Sequence, residues 1–139
     1  MSKAMNMART TETSRRVLVL DSDPDDAFEL AERLKTAGYS ANALSDWEEM
    51  NSSIASSYDL IIGEADTTSL EDLAASLEPS EAPAWILLTA FGSIQDAVGA
   101  MRAGASDYLT KPFPIDRLLM SIERVMERRA LVTENQQLL

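Results

Sequence analysis

The stretch from Tyr58 to Asp66, YDLIIGEAD, constrains most strongly what this chain can fold into. Its apolar run, Leu60 to Ile62, is unbroken and is followed after one glycine by Glu64. A short apolar run bounded by polar residues is typical of a strand buried on both faces, as in a parallel sheet covered by helices. Two other apolar runs also end at polar positions, on Asp21 and Thr89. Because α/β proteins place their chemistry at the carboxyl ends of such strands, the functional question is what Glu64 can do.

The composition narrows the possible classes of function. The 139 residues are enough for one domain with a sizeable core of its own. The sequence has no cysteine and no histidine, which excludes disulfides, thiolate metal sites, a histidine base and a histidine phosphocarrier. The formal net charge of −11 opposes direct binding to nucleic acid. The lack of cysteine fits a reducing cytoplasm. No apolar run approaches membrane-spanning length, so we expect no membrane partner.

Strands and helices are predicted to alternate along the chain. The predicted strands are Arg16–Leu20, Tyr39–Leu44, Tyr58–Asp66, Trp85–Leu88 and Asp107–Thr110. The predicted helices begin at Pro24, Ser45, Ser69, Ser93 and Ile115, and the third of them ends at Leu77. Five strands alternating with five helices indicate an α/β three-layer sandwich with right-handed crossovers. The expected sheet is parallel and five-stranded, in the flavodoxin-like order 2-1-3-4-5.

Three of the predicted helices have recognisable boundaries or faces. Asp23 is expected to cap the first helix, with a proline at the first helical position. Ser45 and Glu48 have the spacing of a capping box at the start of the second helix. Val98 and Met101 are expected to face inward on the fourth helix, because they recur at helical spacing.

The chain is predicted to have three parts. Residues 1–15 are polar and lack periodicity, so they are predicted to be a disordered leader. Residues 16–128 form the folded domain, and residues 129–139 extend its last helix. Apolar residues spaced by seven, from Val125 to Leu139, indicate the start of a coiled-coil seam or a linker helix leading to another domain. The alternative is a helix that simply frays into solvent.

Acidic residues are expected to gather at one edge of the sheet. The predicted strand order places the ends of the first and third strands side by side. The residues brought together there are Asp21, Ser22, Asp23, Glu64 and Asp66. Such a cluster could hold a hard divalent cation through oxygen ligands. The alternative, which stays open, is that these acids only cap helices and lie in solvated loops.

The segment from Leu87 to Phe113, LLTAFGSIQDAVGAMRAGASDYLTKPF, resembles response-regulator receiver domains, above all those at the front of NtrC-like, sigma-54-dependent transcription activators. The continuation MERRALVTENQQLL is similar to the linker helix that leads to an AAA+ ATPase domain in those proteins. The resemblance covers residues 16–128. It implies a flavodoxin-like fold and a bacterial, cytoplasmic signalling module of two-component systems that is not itself an enzyme.

The resemblance also implies roles for individual residues. Asp21 matches the first of two adjacent acids that hold Mg²⁺ in the family, and Thr89 matches the hydroxyl after the fourth strand. Tyr108 matches the switch aromatic. Lys111 matches the phosphate-binding lysine, and its peptide bond to Pro112 is cis in relatives. A simpler role for Lys111 is to pair with Asp21 and relieve charge repulsion in the acidic cluster.

Two positions depart from the family pattern. Ser22 stands where the second acid is expected, and Glu64 stands at the phospho-acceptor aspartate. Glutamate moves the carboxylate by ~1.5 Å, and a misplacement of about 1 Å can cost on the order of a hundredfold in rate. Serine removes a charged ligand, so Mg²⁺ is expected to bind weakly or not at all, with Asp21, Glu64 and Asp66 as the remaining candidate ligands. We therefore predict a degenerate receiver that is not phosphorylated at Glu64.

Several functional hypotheses follow from this prediction. Glu64 either mimics phosphorylation by reaching Lys111 or Thr89, or it marks a decayed site. The expected partners are a second copy, through the fourth helix, fifth strand and fifth helix or through the linker helix, and a linked or separate AAA+ ATPase domain. The alternatives are a working phospho-receiver that uses Asp66, and a small-molecule sensor that uses the crevice between the first and third strands.

Overall fold

Helices and strands alternate in the computed structural model, which describes residues 15–64, 72–73, 75–77, 82–89 and 94–138. The strands are β1 (Arg16–Leu20), β2 (Ser40–Leu44), β3 (Leu60–Gly63), β4 (Ala84–Thr89) and β5 (Asp107–Thr110). The α-helices in the described part of the chain are α1 (Pro24–Thr36), α2 (Ser52–Ala55), α3 (Ile94–Arg102) and α4 (Ile115–Leu138). The predicted leader, apart from Arg15, lies outside the described residues.

The sheet has the predicted topology. All four strand pairs are parallel, and the order is β2-β1-β3-β4-β5. The register pairs Leu20 with Gly63 and Thr89 with Thr110, so the carboxyl ends of the strands meet at one edge. The predicted α/β fold with a five-stranded parallel sheet is therefore confirmed.

The core consists of two layers, one on each face of the sheet. Helices α1 and α4 cover one face, and their buried side chains pack with β1, β3 and β4. Helices α2 and α3 contribute to the other layer, which includes Trp85, Ala55 and Ala100. Because both faces are covered, the residues of β3 are fully buried, as the unbroken apolar run predicts.

The second helix was predicted to be one continuous helix, and this prediction is wrong. The structure has a 3₁₀ turn at Trp47–Glu49 and then the short helix α2. The Asp46 carboxylate accepts a hydrogen bond from the backbone N–H of Glu48, at 2.9 Å. The Asn51 side chain accepts one from the N–H of Ile54, at 2.8 Å. Each of these side chains starts a separate turn, so one continuous helix capped at position 45 does not form.

The number of helices and the face of one helix also differ from the prediction. The described part of the chain contains four α-helices, whereas five were predicted. Four of the nine residues of the predicted helix over 69–77 lie outside that part, and residues 72, 73 and 75 are helical. On α3, Val98 is 44% exposed and Met101 is 48% exposed, while Ala100 is fully buried. The small alanine packs α3 against the sheet, and this leaves the two larger side chains outside.

Helix α1 begins as predicted, at a cap that also shapes the site edge. The Asp23 carboxylate accepts hydrogen bonds from the backbone N–H groups of Asp25 and Asp26, and Pro24 is the first helical residue. Gly38, just past the helix, has a φ of +104°, which favours glycine. At the other end of the helix, the hydrogen bonds to the Asp23 carboxylate fix the turn between β1 and α1.

Helix α4 is attached to β5 through polar side chains. Ser121, which is fully buried, donates its hydroxyl hydrogen to the Asp107 carboxylate. Arg124 lies 3.6 Å from the same carboxylate. The helix continues to Leu138. Val125, the first residue of the predicted seven-residue spacing, is 8% exposed and packs in the core, so it is not free to join a seam outside the domain.

None of the helices in the described part of the chain has the length and apolar character needed to span a bilayer.

Candidate functional site

The carboxyl edge of the sheet brings together residues that are far apart in sequence. Asp21 directly follows β1, and Glu64 directly follows β3. The backbone N–H of Glu64 donates to the carbonyl of Leu20, at 3.1 Å. Lys111 directly follows β5, and its backbone N–H donates to the carbonyl of Thr89 at the end of β4, at 2.7 Å. Four strand ends thus contribute to one site.

The ammonium group of Lys111 bridges two carboxylates. Its Nζ donates to Oε1 of Glu64 at 2.5 Å and to Oδ2 of Asp21 at 2.9 Å. The Lys111 side chain is 27% exposed, against 10% for Asp21 and 41% for Glu64. We call this arrangement of Lys111, Asp21 and Glu64 the lysine bridge. It joins the two carboxylates by charge-assisted hydrogen bonds, the stronger class of hydrogen bond.

The lysine bridge changes the pKa of its cation. Partial burial alone would lower the pKa of the Lys111 ammonium, because it disfavours the charged form. The hydrogen bonds to Glu64 and Asp21, and the attraction of these two carboxylates, outweigh burial and raise that pKa above its ordinary value. Lys111 therefore stays a cation throughout the physiological pH range.

The acidic side chains of Asp21 and Asp23 also accept hydrogen bonds from the backbone. The second oxygen of Asp21, Oδ1, accepts a hydrogen bond from the backbone N–H of Asp23, at 3.0 Å. The carboxylate of Asp23 itself caps α1. The repulsion from Asp23, with smaller contributions from desolvation and from Asp21, raises the pKa of Asp26. Negative charge thus exceeds positive charge around the cap of α1.

The described side chains do not fit a magnesium ion. Mg²⁺ requires near-octahedral oxygen ligands at short distances, whereas the Lys111 ammonium already lies between the carboxylates of Asp21 and Glu64. Ser22 is exposed and carries no charge. Within the described residues, no group of three or more acidic side chains is arranged to hold a metal ion. Asp66, one of the predicted ligands, lies outside these residues.

The residues predicted to form a switch lie on β4 and β5, the two strands that end beside Lys111. Tyr108 packs against the core layer formed with α2 and α3. Its hydroxyl is buried and has no hydrogen-bond partner among the described residues. Thr89 ends β4 and is half-buried. The peptide bond between Lys111 and Pro112 is cis, as the resemblance implies.

A cavity of about 630 Å³ adjoins the site between α1 and the loop that follows β5. Its apolar walls are formed by Leu30, Leu88, Pro112, Phe113 and Ile115. Its polar rim is formed by Asp21, Asp26, Glu29, Arg33 and Lys111. The sequence does not predict this cavity, since partly buried apolar residues follow the same helical spacing whether or not a space lies beside them.

Comparison with known proteins identifies one family. The response regulator receiver domain family matches residues 17–123. The C4-dicarboxylate transport transcriptional regulatory protein DctD of Pseudomonas aeruginosa is 33% identical over 131 residues, 91% of this chain and 28% of that protein. The nitrogen assimilation regulatory protein NtrX of Azorhizobium caulinodans is 31% identical, over 88% of this chain and 28% of that protein. The chain therefore spans little more than a quarter of the length of these regulators.

Solved structures have the same fold. Crystalline NtrX from Brucella abortus in complex with ADP superimposes with a TM-score of 0.77 at 25% identity, covering 89% of this chain and 30% of that one. The beryllofluoride-activated NtrC4 receiver domain dimer superimposes with a TM-score of 0.71 at 24% identity, covering 82% of this chain and 98% of that one. The similarity to the NtrC4 receiver domain extends over nearly all of that domain, and at 24% identity it shows only that the fold is the same.

Proposed function

The chain belongs to the response regulator receiver domain family, and from that premise we propose that it is a degenerate receiver, a signalling and dimerisation module that is not phosphorylated at Glu64. We propose further that it is the N-terminal regulatory part of a sigma-54-dependent transcription activator in a bacterial cytoplasm, linked to or partnered by an AAA+ ATPase domain. Its similarity to the transcriptional regulators DctD and NtrX, each of which it matches over 28% of the length, supports this second part.

The observation that carries the proposal is the lysine bridge. Phosphoryl transfer requires a correctly placed nucleophile and cations that neutralise the charge on the transferred group. Here the Glu64 carboxylate is one methylene longer than the aspartate of the family, and Lys111 already holds it at 2.5 Å. The ammonium of Lys111, which the family uses to bind phosphate, is therefore already occupied by the carboxylates of Glu64 and Asp21. We infer that the domain needs neither phosphate nor Mg²⁺ for its structure.

The contacts of Glu64 and Tyr108 support a role for Glu64 as a partial mimic of a phosphorylated aspartate. Its carboxylate accepts from the same lysine that the family uses for phosphate. The Tyr108 ring is packed against the core rather than standing free in solvent. A carboxylate carries one charge, whereas a phosphoryl group carries nearly two and has more acceptor oxygens. The mimicry is therefore incomplete in charge, even though it maintains the contact with Lys111.

We propose that the edge of the sheet at β5 is a homodimer surface. Val98 and Met101 of α3 and Met120 of α4 are 44%, 48% and 62% exposed. Arg124, one turn after Met120, reaches Asp107 of β5, so this side of α4 faces the edge strand. An edge strand flanked by exposed apolar side chains is a ready surface for association. The net charge of −11 opposes direct contact with nucleic acid.

Incubation with acetyl phosphate and Mg²⁺, followed by intact-mass measurement, tests the proposal. We expect no change in mass, while a receiver with aspartate at the acceptor position gains one phosphoryl group in the same buffer. A gain of one phosphoryl group on this chain would contradict the proposal. If peptide mapping placed that group on Asp66, the chain would be a working phospho-receiver.

The cavity beside α1 favours a second candidate function, the sensing of a small molecule. Its volume of about 630 Å³ falls within the range of small-molecule pockets, roughly 300–1,000 Å³. Three acids, Asp21, Asp26 and Glu29, outnumber the bases in the rim, which favours a cation with an apolar body over a nucleotide. Thermal-shift measurements with small aromatic amines and with nucleotides test this candidate. A clear stabilisation by an amine would support it, and no stabilisation by either class would exclude it.

A further inference from the structure

Gly63, the last residue of β3, lies unusually close to the backbone of β1. A Cβ atom added to Gly63 would lie 2.0 Å from the carbonyl oxygen of Leu20 and 2.8 Å from its carbonyl carbon. By contrast, a Cβ added to Gly38 or Gly104 would meet nothing within 4 Å. Glycine within a strand often marks a close approach between two backbones. The residue directly before Glu64 is thus one that space alone restricts to glycine.

We propose that Gly63 is a positioning residue for Glu64: its missing side chain lets the end of β3 lie against the end of β1, so that the Glu64 carboxylate meets Lys111. This inference rests on the lysine bridge of the proposed function and adds the residue that places one of its members. The register pairs Gly63 with Leu20, and Asp21 follows Leu20 directly. The two carboxylates of the bridge are therefore placed by the contact between the residues before them.

The size of the effect follows from the contact distances. Real Cβ atoms essentially never approach another heavy atom to less than 3.0 Å, so a side chain at position 63 must move by at least about 1 Å from its contact at 2.0 Å. The atom in the way is the backbone oxygen of Leu20, which no change of rotamer can remove. The same oxygen accepts the N–H of Glu64, at 3.1 Å. The displacement therefore acts on the backbone of Glu64 itself.

A displacement of this size matters because the bridge is short. Nζ of Lys111 lies 2.5 Å from Oε1 of Glu64, and hydrogen bonds weaken steeply as donor and acceptor separate. Asp21 lies on the other side of the contact and keeps its own hydrogen bond from Asp23. We therefore expect a side chain at position 63 to release Glu64 from Lys111 while Lys111 remains paired with Asp21.

Competitive labelling of lysine amines with trace acetic anhydride, with peptide-level quantification, tests this inference on the full chain. Lys35 is an internal reference, because its side chain is 52% exposed. We expect Lys111 to react several-fold more slowly than Lys35 in the wild type, because its ammonium donates to two carboxylates and its side chain is only 27% exposed. In Gly63→Ala the ratio of Lys111 to Lys35 labelling should rise several-fold.

The matched control is Gly38→Ala. It strains a backbone with a φ of +104° but creates no close contact, so it destabilises the fold without moving the bridge. The ratio of Lys111 to Lys35 labelling should stay at its wild-type value. A Gly63→Ala ratio equal to that of the wild type would overturn the positioning role. Unprotected Lys111 in the wild type would instead overturn the lysine bridge, and with it the proposed function.

A measurement on the wild type covers the case in which Gly63→Ala does not fold. The hydrogen bond from the Glu64 N–H to the Leu20 carbonyl, at 3.1 Å, predicts a trans-hydrogen-bond scalar coupling between the amide nitrogen of Glu64 and the carbonyl carbon of Leu20 in ¹⁵N,¹³C-labelled protein. Detection of this coupling supports the contact between β1 and β3 on which the inference depends. Its absence, while other couplings across the same strand pair are present, would overturn the inference without any variant.

Discussion

Lys111 Nζ lies 2.5 Å from Oε1 of Glu64, although the two residues follow different strands that are not neighbours in the sheet. Lys111 follows β5, Glu64 follows β3, and β4 lies between them. The side chain of Lys111 therefore reaches across the end of β4. It links the edge strand to the centre of the sheet, so removal of either charge should affect stability as well as signalling.

Removing the lysine should cost more than removing its glutamate partner. Lys111→Met leaves the carboxylates of Asp21 and Glu64 without their shared cation, and we expect a loss of about 1–3 kcal/mol in the free energy of unfolding. Glu64→Gln should cost less than about 1 kcal/mol, because Glu64 is 41% exposed and solvent screens the pair. Urea denaturation measures both. Lys35→Met, which removes a surface ion pair, is the control, and an equal loss in it and in Lys111→Met would contradict the prediction.

The raised pKa of Lys111 predicts a specific loss of stability at alkaline pH. The folded protein holds this proton more tightly than the unfolded chain, so the stabilisation is complete below the ordinary pKa of 10.5. It is lost as the pH rises from there through the raised pKa of the folded state. Burial also raises the pKa of Tyr39, which contributes a loss in the same direction. The difference between the wild type and Lys111→Met isolates the lysine: the stability gap should be constant up to about pH 10 and shrink above it.

The sheet was predictable because each strand follows from a local pattern. The apolar runs before Asp21, Glu64 and Thr89 are buried by helices on both faces, as unbroken apolar runs predict. The break before α2 was not predictable by the same means. Asp46 and Asn51 are both able to cap a helix, and only their hydrogen bonds show that each of them does so.

The members of the site were predictable, whereas their contacts were not. The resemblance identifies Lys111 and Asp21, but the orientation of a long, flexible side chain depends on tertiary packing. The hydrogen bond between Lys111 and Glu64 could therefore be identified only from the structure. The position of Gly63 is visible in the sequence, since a glycine ends an otherwise apolar strand. The need for glycine there comes from the close approach of the Leu20 backbone, which is distant in sequence.

Restoring both acids of the family pattern should restore phosphorylation. Ser22→Asp adds a charged ligand next to Asp21, and Glu64→Asp returns the nucleophile to the expected length. We expect the double variant to gain one phosphoryl group from acetyl phosphate in the presence of Mg²⁺, and each single variant to gain roughly a hundredfold less in the same time. Intact mass measures the gain. Full phosphorylation of Glu64→Asp alone would show that the missing ligand at position 22 does not limit the reaction.

The buried hydrogen bond between Ser121 and Asp107 should stabilise the attachment of α4. Ser121→Ala leaves the Asp107 carboxylate short of a donor, and we expect a loss of about 1–2 kcal/mol in the free energy of unfolding. Arg124→Ala should cost less than about 0.5 kcal/mol, because the Arg124 side chain is 72% exposed and its pair with Asp107 is screened. Urea denaturation compares the two variants. A larger loss in Arg124→Ala would show that the ion pair, not the buried hydroxyl, attaches the helix.

The exposed apolar residues beside β5 predict the location of the dimer interface. Met101→Glu and Met120→Glu each place a carboxylate on that surface, and we expect roughly tenfold or greater weakening of the dimer, since interface energy is concentrated in a few central apolar side chains. Phe28→Glu is the matched control: Phe28 is 62% exposed, as is Met120, but it lies on α1, away from β5. Light scattering coupled to size-exclusion chromatography over a range of concentrations measures association. If Phe28→Glu dissociated the dimer and the methionine variants did not, the interface would lie on α1, because the added charge is the same in all three proteins.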